Sequence, residues 1–545
     1  MNNSLEIVIE QPFVDQKPGT SGLRKSYSRF QEKHYLESFI ESIFQILENV
    51  QGSTIIVGGD GRLGNRHAIK QIIKIAQAHG VAKVITSLDG ILSTPAASNL
   101  IRKNNAVCGI ILSASHNPGG LNGDFGIKLN TANGGPANEF ITDSIYKFSQ
   151  QIQKYKIGNF DVPDLNKKGI YNLNSLNLEI VDGVDDYLIL MQQIFDFDEI
   201  KDFLASDFSF IFDGMNAVTG PYAKRIFEVI GQSISSELFN CSPLEDFGGL
   251  HPDPNLTYAK DLADLLLKER KFDFGAACDG DGDRNMILGK GCFVNPSDSL
   301  AVLTANASFV PGYSQGLAGV ARSMPTSSAV DVVAKSLNIP CYETPTGWKF
   351  FGNLLDANLI SICGEESFGT GSNHIREKDG LWAILFWLQI LSRKKISVNE
   401  LLNQHWHQFG RNFYSRHDYE SIESEIANEI YDSLKRQSKT LVGKKFGHTQ
   451  VSVADQFSYK DPIDGSLTTN QGIRFLLDDS SRVIVRLSGT GTKGSTLRIY
   501  FERYIKDDKK FAHNPQSILK DLIFQINQIT QIKNKTGMNE PTVIT

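Results

Sequence analysis

One local pattern occurs three times along the chain and constrains its fold more than any other feature. An apolar run of strand length leads into a Gly-rich or polar turn and then into a helical pattern. The strand-like run and its turn occupy 53–62, 207–220 and 316–330, and the helical patterns that follow them lie at 68–78, 222–230 and 332–337. Strands that alternate with helices in this way predict α/β layers with mostly parallel pairing. Because the pattern restarts at about the spacing of one domain, we expect successive domains of related topology.

The last part of the chain follows a different pattern. A polar helical stretch, 420–443, precedes strand-like pieces at 450–457, 472–477, 482–487 and 496–500 and a final helix near 518–532. Strands and helices that are segregated in this way predict an α+β domain. We expect the polar tail after Lys533 to be frayed.

Length and charge narrow the class of protein. At 545 residues the chain is too long for one compact core. Its 55 basic and 61 acidic side chains give a net charge of −6, so no general attraction to nucleic acid or to an anionic membrane is encoded. An anionic substrate would therefore be held by local clusters of Arg and Lys.

Neither secretion nor membrane insertion is indicated. The six cysteines are scattered without a CxxC pair, which favours reduced thiols. No signal peptide is visible at 1–12, and the longest apolar run, 381–391, has about half the length needed to span a bilayer. We expect a cytoplasmic protein with no nucleic-acid and no membrane partner.

The first candidate for chemistry is Ser115, in the segment LSASHNPGG at 112–120. An apolar run delivers this serine into a turn of small residues, where nearby backbone N–H groups suit an attacking or phosphorylated hydroxyl. Turn chemistry alone also explains Ser and Asn before Pro-Gly-Gly. The hydrolase motif G-x-S-x-G is absent, because Ser113 and Asn117 occupy its Gly positions.

The second candidate is the acidic segment CDGDGDR at 278–284. Its three aspartates, Asp279, Asp281 and Asp283, recur at period two, so in an extended segment their carboxylates share one side. Such a group favours a hard divalent cation, Mg²⁺ or Ca²⁺. An EF-hand is excluded because Arg284 and Lys290 stand at its sixth and twelfth positions. A solvated acidic turn is the structural alternative.

Two further segments offer polar groups for a ligand. The first, at 486–498, reads RLSGTGTKGSTLR. Its hydroxyls, glycines and Arg486 predict a phosphate cradle, and it lacks the GK[ST] ending of a Walker loop. A Gly-rich hairpin without a ligand is the alternative.

The second, at 363–379, reads CGEESFGTGSNHIREKD. It offers hydrogen-bond acceptors and cations before Asp379, which is a predicted N-cap of a helix at 381–391. A solvated loop is the alternative there. TPTGWK at 344–349 and TSGLRK at 20–25 are weaker candidates.

Taken together, these segments resemble the phosphohexomutase superfamily, and most closely its phosphoglucomutase branch. The resemblance covers nearly the whole chain, with four motifs in the family's order: SASHNPGG, the aspartate loop, GEESFG at 364–369 and RLSGTGT at 486–492. Ser113 is one departure, since the family more often has Thr there. The GEESFG form points to glucose, because relatives acting on mannose or glucosamine phosphates have a shorter form.

The resemblance implies an α/β fold with four domains around a central cleft. Three are topologically similar mixed-sheet α/β domains: 1–185 with the phosphoserine loop, 186–298 with the Mg²⁺ loop and 299–408 with the sugar-recognition loop. The fourth, 409–545, is the α+β domain with the phosphate-binding loop.

It also implies an isomerase of the intramolecular phosphotransferase type. This enzyme interconverts glucose 1-phosphate and glucose 6-phosphate through phosphoserine and glucose 1,6-bisphosphate, with Mg²⁺ as cofactor, a sugar phosphate as partner and a monomeric state. The implied catalytic residues are Ser115, Lys128 as general base, and His116, and the metal ligands are Asp279, Asp281, Asp283 and Ser115. The implied substrate contacts are Arg24, Arg284, Thr346, Gly347, Glu365, Ser367, Lys378, Arg486, Ser488, Gly489, Thr490 and Thr492.

Four other functions are alternatives to this interpretation. A mannose phosphate mutase or a synthase of the bisphosphate would use the same residues. A non-catalytic sensor need not keep serine, metal loop and phosphate cradle together. A phosphatase would need a water-activating base beside Ser115, and the sequence supplies no obvious one.

Overall fold

The computed structural model describes residues 4–19, 21–231, 236–488 and 494–545. In these residues the strands form four larger sheets and two small two-stranded ones. The larger sheets follow one another along the chain, in agreement with the predicted succession of domains.

The first sheet has seven strands in the order β2-β6-β5-β3-β4-β9-β8, and β1 and β7 form a separate antiparallel pair. Its region comprises β1 Ser4–Val8, β2 Leu23–Ser26, α1 Tyr27–Phe30, α2 Tyr35–Ile46, β3 Thr54–Gly59, α3 Asn65–Ala78, β4 Lys83–Ser87, α4 Thr94–Lys103, β5 Cys108–Leu112, β6 Asp124–Thr131, α5 Glu139–Ser149, β7 Lys154–Gly158, β8 Gly169–Leu173 and β9 Leu176–Val181.

The second sheet has five strands in the order β11-β10-β12-β13-β14. Its region comprises α6 Gly183–Ile194, α7 Phe197–Leu204, β10 Phe210–Asp213, α8 Thr219–Ile230, β11 Glu237–Phe239, α9 Lys260–Ala263, β12 Phe274–Cys278, β13 Asn285–Gly289 and β14 Cys292–Val294.

The third sheet has four strands in the order β16-β15-β17-β18. Its region comprises α10 Pro296–Ala305, β15 Val320–Ser323, α11 Ala329–Leu337, β16 Cys341–Thr344, α12 Lys349–Asp356, β17 Ile362–Glu365, β18 Gly369–Ser372, α13 Gly380–Lys394 and α14 Val398–Phe409.

These three sheets share one topological unit. In each unit a central strand pairs in parallel with the next two strands of the chain, and the second of these pairs antiparallel with the strand that follows it. In chain order the four strands are β3, β4, β5 and β6 in the first unit, β10 to β13 in the second and β15 to β18 in the third. The prediction of three similar mixed-sheet domains is confirmed. The turn before the antiparallel strand therefore occupies an equivalent place in each unit.

The fourth sheet is antiparallel, in the order β20-β21-β24-β25-β26-β19-β27. Its region comprises β19 Arg411–Ile422, α15 Ser424–Gln437, β20 Lys445–Phe446, β21 Thr449–Gln456, β22 Tyr459–Lys460, β23 Leu467–Thr468, β24 Ile473–Leu477, β25 Arg482–Ser488, β26 Ser495–Ile505, α16 Pro515–Thr530, α17 Ile532–Thr536 and β27 Val543–Ile544. The predicted α+β character is confirmed. The expectation of a frayed tail is wrong, because β27 pairs with the long strand β19.

Two buried groups fix the fourth region against the third. Glu502 of β26 accepts hydrogen bonds from Ser327 Oγ at 2.7 Å and Ser328 N at 2.8 Å, just before helix α11. The Tyr414 hydroxyl donates to the Pro325 carbonyl at 2.9 Å. The fourth sheet thus meets the third unit through specific polar contacts.

The longest apolar run of the sequence forms α13, whose side chains are buried along nearly its whole length. Asp379 caps it by accepting a hydrogen bond from Trp382 N at 3.1 Å, as the sequence predicts. Among the described residues, no helix has both the length and the apolar content needed to cross a membrane. All six cysteines are free thiols.

Candidate active site

Three turns that are equivalent in the repeated unit meet at one place. The β5–β6 turn carries Ser115, and the β12–β13 turn carries the aspartates. Of the glutamates of GEESFG, Glu365 ends strand β17 and Glu366 lies in the β17–β18 turn. The backbone of Arg284 pairs with that of Gly369, and Asn285 N donates to the Phe368 carbonyl at 2.9 Å. The repeated topology therefore brings three distant motifs together.

Ser115 sits in a constrained turn. It is 2% exposed and has a φ of 54°, which is an unusual conformation for a residue other than glycine. Its N–H donates to Ser113 Oγ at 2.7 Å, and Ser113 Oγ donates to Asp60 Oδ2 at 2.6 Å. Arg62 donates to the Ser115 carbonyl at 2.9 Å. These bonds stabilise a left-handed turn that presents the serine oxygen in a fixed direction.

The acidic turn lies directly against this serine. Ser115 Oγ donates a hydrogen bond to Asp279 Oδ2 at 2.9 Å. Gly280 packs so closely that an added Cβ would lie 2.3 Å from the Ser115 carbonyl oxygen. A glycine is therefore required where the two turns touch.

The three aspartates form a buried cluster whose ligand atoms all lie within 4.8 Å of one another. Asp281 Oδ1 and Asp283 Oδ1 have no hydrogen-bond partner among the described residues. Burial and the neighbouring charges of Asp283 and Asp281 raise the pKa of Asp279 well above its ordinary value. Buried carboxylate oxygens that lack partners and repel one another fit a divalent cation with oxygen ligands.

Two lysines supply positive charge to this cluster. Lys128 Nζ contacts Asp281 Oδ2 and lies 3.5 Å from Asp283 Oδ2, and Lys378 Nζ lies 3.1 Å from Asp283 Oδ2. Burial lowers the pKa of Lys128, but Asp281 and Asp283 outweigh it and raise that pKa above its ordinary value. Lys128 is therefore charged in this arrangement, and its role as general base stays a prediction.

Arg284, Arg24 and His116 surround the same point. Arg284 pairs with Asp253 at 3.1 Å and lies 4.0 Å from Asp279. Arg24, on β2, interacts electrostatically with Asp281. His116 Nδ1 lies 3.4 Å from Ser115 Oγ. Burial, and then the charges of the two arginines, lower the pKa of His116 well below its ordinary value, so this imidazole is neutral.

The predicted sugar contacts lie next to the acidic turn. Glu365 is 5% exposed and accepts a hydrogen bond from Gly347 N at 2.9 Å. Burial raises the pKa of Glu365. Thr346 Oγ1 is buried without a hydrogen-bond partner among the described residues, and Ser367 is half-buried. These groups could serve the hydroxyls of a ligand.

Part of the predicted phosphate cradle is on strand β25. Arg486 donates to the Gln471 carbonyl at 3.3 Å and to the Tyr500 hydroxyl at 3.5 Å, and Ser488 is the last residue of the strand. Gly489, Thr490 and Thr492 lie outside the described residues.

Sequence reasoning missed several polar residues of the site. Asp60 and Arg62 lie just after strand β3, in the GGDGR segment, where the sequence pattern predicts only a turn. Arg416 and Asp418 alternate along β19 and share a sheet face with Arg498. For Arg416 and Asp418 the available signal was the recurrence of charged residues at 416, 418 and 420, which is the period of a strand face.

Comparisons with known proteins agree with this architecture. The family models for phosphoglucomutase/phosphomannomutase α/β/α domains I, II and III match residues 15–156, 185–291 and 296–409. A model for the phosphoglucomutase-1 C-terminal domain matches residues 411–542. These matches define the class: a sugar-phosphate mutase fold of three related α/β/α domains and a distinct fourth.

Individual relatives match over nearly their whole length. The chain is 54% identical to a phosphoglucomutase of Rhizobium radiobacter over 534 residues and 51% identical to human phosphoglucomutase-1 over 555 residues, with 98% of each chain covered in both cases. The open form of Paramecium parafusin, a phosphoglucomutase, superimposes with a TM-score of 0.91 at 49% identity, covering 99% of both chains. The chain belongs to the phosphoglucomutase/phosphomannomutase family.

Proposed function

We propose that this chain is a phosphoglucomutase that interconverts glucose 1-phosphate and glucose 6-phosphate through phosphorylated Ser115. The observation that carries the proposal is the 2.9 Å contact between Ser115 Oγ and Asp279 in a buried three-carboxylate cluster. Relatives named phosphoglucomutase, at 54% and 51% identity over nearly the full chain, support glucose as the sugar.

The proposed cofactor is Mg²⁺, held by Asp279, Asp281, Asp283 and an oxygen on Ser115. When bound, a divalent cation supplies charge neutralisation to a transferring phosphoryl group. The unpartnered oxygens of Asp281 and Asp283 support this assignment. A phosphoserine adds about −1.5 to −2 of charge, so Arg24 and Arg284 would offset the charge that remains.

The proposed reaction has two half-steps with glucose 1,6-bisphosphate between them. In the first, the bond between Ser115 Oγ and phosphorus breaks while the sugar's 6-hydroxyl bonds to phosphorus. The proton of that hydroxyl passes to a base. Neutral His116 can accept it in this arrangement, whereas Lys128, the base that the family resemblance implies, would first have to lose the proton that Asp281 and Asp283 stabilise. In the second, the base has returned its proton to Ser115 Oγ and the bisphosphate has turned over. The bond between its 1-oxygen and phosphorus breaks while Ser115 Oγ bonds to phosphorus, and the serine proton passes to the released 1-hydroxyl.

The substrate's other phosphate would meet Arg486 and Ser488 of strand β25, together with Gly489, Thr490 and Thr492. Sugar hydroxyls would meet Glu365, Ser367, Thr346 and Gly347, with Lys378 between the sugar and the acidic turn. Contacts at both ends hold the sugar while one phosphoryl group moves, and closing of the cleft would exclude water.

Four further expectations stay predictions. They are the domain boundaries after residues 185, 298 and 408, the monomeric state, the cytoplasmic location and the lack of a nucleic-acid partner.

The test is turnover of purified protein on glucose 1-phosphate and on mannose 1-phosphate, each with Mg²⁺, with and without added glucose 1,6-bisphosphate. We expect glucose 6-phosphate to form faster than mannose 6-phosphate, with catalytic amounts of bisphosphate being sufficient. Preferred turnover of the mannose substrate, or accumulation of bisphosphate as the end product, would overturn the proposal.

A further inference from the structure

The tail strand β27 lies beside residues 416–420 of β19. Its residues pair with His417 and Asp418. Thr545 N donates to the Arg416 carbonyl at 3.0 Å, Arg416 N donates to the Thr545 carbonyl at 2.9 Å, and Thr542 N donates to the Asp418 carbonyl at 2.8 Å. Glu420 N donates to Thr542 Oγ1 at 3.1 Å. The backbone from 416 to 420 is thus held by the tail.

The side chains of this backbone belong to one charged sheet face. Asp418 pairs across the ladder with Arg498, and Arg498 pairs with Arg486. Residues directly opposite one another, and residues two apart on a strand, share a face. Arg416, Asp418, Arg498 and Arg486 therefore stand on the same side of the sheet.

Asp418 lies between two of these arginines. Its carboxylate is 3.1 Å from Arg416 Nε and 3.6 Å from Arg498 Nε, and the residue is 2% exposed. Among the described residues, neither Arg416 Nε nor Arg498 Nε has a hydrogen-bond acceptor. Asp418 therefore holds the two guanidinium groups near it by charge rather than by aligned hydrogen bonds.

The charged face lies on the side of the fourth sheet that meets the third unit, because Tyr414, two residues before Arg416 on β19, donates from this side to the Pro325 carbonyl at 2.9 Å. Arg416 interacts electrostatically with Glu366 of the GEESFG turn and with Arg284 of the acidic turn. Arg498 interacts electrostatically with His116 beside Ser115. An anion that enters between the acidic turn and the fourth sheet meets these arginines.

We propose that the tail strand and Asp418 together position Arg416 and Arg498 for the phosphate of the substrate that is not being transferred. This inference rests on the proposed function and adds a positioning element to it. The tail contributes backbone hydrogen bonds that fix β19, and Asp418 contributes the charge that directs the two arginines. Preorganisation of this kind lowers the cost of binding without adding a contact to the ligand.

The test compares three tail variants in a Ser115→Ala background, where the ligand is not turned over. Deletion of residues 541–545 removes the strand, and Thr545→Pro removes one backbone donor while the side chains of the face remain. Ile544→Ser is the control, because Ile544 is 44% exposed and the change keeps the backbone bonds. Titration calorimetry measures Kd for glucose 1-phosphate, for inorganic phosphate and for Mg²⁺.

Thr545→Pro should raise Kd for glucose 1-phosphate and inorganic phosphate about fivefold, as expected for the net loss of one hydrogen bond that holds the binding conformation. The deletion should raise both of these Kd values further, while Kd for Mg²⁺ stays at the parent value in every variant. In the control variant Ile544→Ser all three Kd values should equal those of the parent. With Ser115 restored, KM should rise and kcat should stay within about twofold.

Unchanged phosphate affinity in Thr545→Pro and in the deletion would overturn the inference, as would an equal loss of Mg²⁺ affinity. If the deletion does not fold, Thr545→Pro alone decides. Failure of the proposed function would show differently, as wild-type protein that binds phosphate but does not convert glucose 1-phosphate.

Discussion

The contact between Gly280 and Ser115 allows the site geometry to be tested with one methyl group. A Cβ atom at Gly280 would lie 2.3 Å from the Ser115 carbonyl oxygen, whereas ordinary van der Waals contact begins at 3.4 Å. In Gly280→Ala the serine turn and the acidic turn must therefore move apart by roughly 1 Å. Gly280 is outside the left-handed region, so alanine adds no backbone strain there.

A displacement of about 1 Å between reacting groups can cost about 100-fold in rate, or about 2.7 kcal/mol of activation free energy. We expect kcat of Gly280→Ala to fall by that factor in a coupled assay of glucose 6-phosphate formation. The melting temperature should change little, because the residues of the two turns belong to none of the hydrophobic core clusters around them.

Gly352→Ala is the matched control. An added Cβ there meets nothing within 4 Å, and alanine is favoured over glycine inside helix α12. Its kcat should equal that of wild type. If Gly280→Ala kept kcat within about threefold of wild type with an unchanged fold, the close apposition of serine and acidic turn would not matter for catalysis, and the reasoning would be refuted.

Four other changes test separate parts of the site and fold. Ser115→Ala should abolish mutase turnover while the melting temperature is retained. Asp281→Asn should raise the Mg²⁺ concentration for half-maximal activity by more than about tenfold, because it removes one charge from the cluster. Arg486→Ala should raise KM for glucose 1-phosphate by roughly tenfold or more, the size of a lost charge-assisted hydrogen bond. Burial lowers the pKa of His405 to about 4, so as the pH falls the unfolded chain binds a proton at this histidine before the folded chain does. The free energy of unfolding of wild type should therefore fall by about 3 kcal/mol between pH 6.5 and pH 4, and His405→Gln should not show this loss.

Each of these expectations has a contrary outcome. Near-normal turnover of Ser115→Ala would show that the reaction does not pass through a phosphoserine at this position. An unchanged Mg²⁺ requirement in Asp281→Asn would make the acidic turn structural, and an unchanged KM in Arg486→Ala would place the distal phosphate elsewhere. Parallel pH profiles of denaturant-induced unfolding for wild type and His405→Gln would show that His405 does not control acid stability.

The repeated α/β units could be predicted because each strand and helix carries its own local signal. The apolar runs at 53–62 and 207–220 lead into turns and amphipathic helices, and these became β3 with α3 and β10 with α8. Such patterns depend on neighbours in sequence. The tail was mispredicted for the same reason, since β27 has only two residues and its position depends on pairing with the distant strand β19.

The residue types of the site were visible in the sequence, but their mutual geometry was not. The period-two aspartates predicted one shared side, and the structure places their oxygens within 4.8 Å of one another. Lys128 and Lys378 both contact this cluster, although each lies more than 90 positions along the chain from the aspartate that it contacts. No local pattern encodes such a contact, because it arises from the packing of separate units.

Asp418 shows a further limit of sequence reasoning. Its neighbours Arg416 and His417 gave no motif, and the charged face appears only when β19, β25 and β26 are paired in register. A strand pattern predicts which side chains share a face but not which strands adjoin. The positioning role proposed for the tail therefore required the sheet order.

The most direct measurement is intact-mass analysis with peptide mapping of the protein before and after mixing with glucose 1-phosphate and Mg²⁺. If Ser115 passes its phosphoryl group to the sugar beside the aspartate cluster, the protein should carry one phosphoryl group on Ser115 at the start. It should lose that group to substrate only when Mg²⁺ is present, as glucose 6-phosphate appears. Formation of glucose 6-phosphate by protein that never carries phosphate on Ser115 would contradict the proposed mechanism.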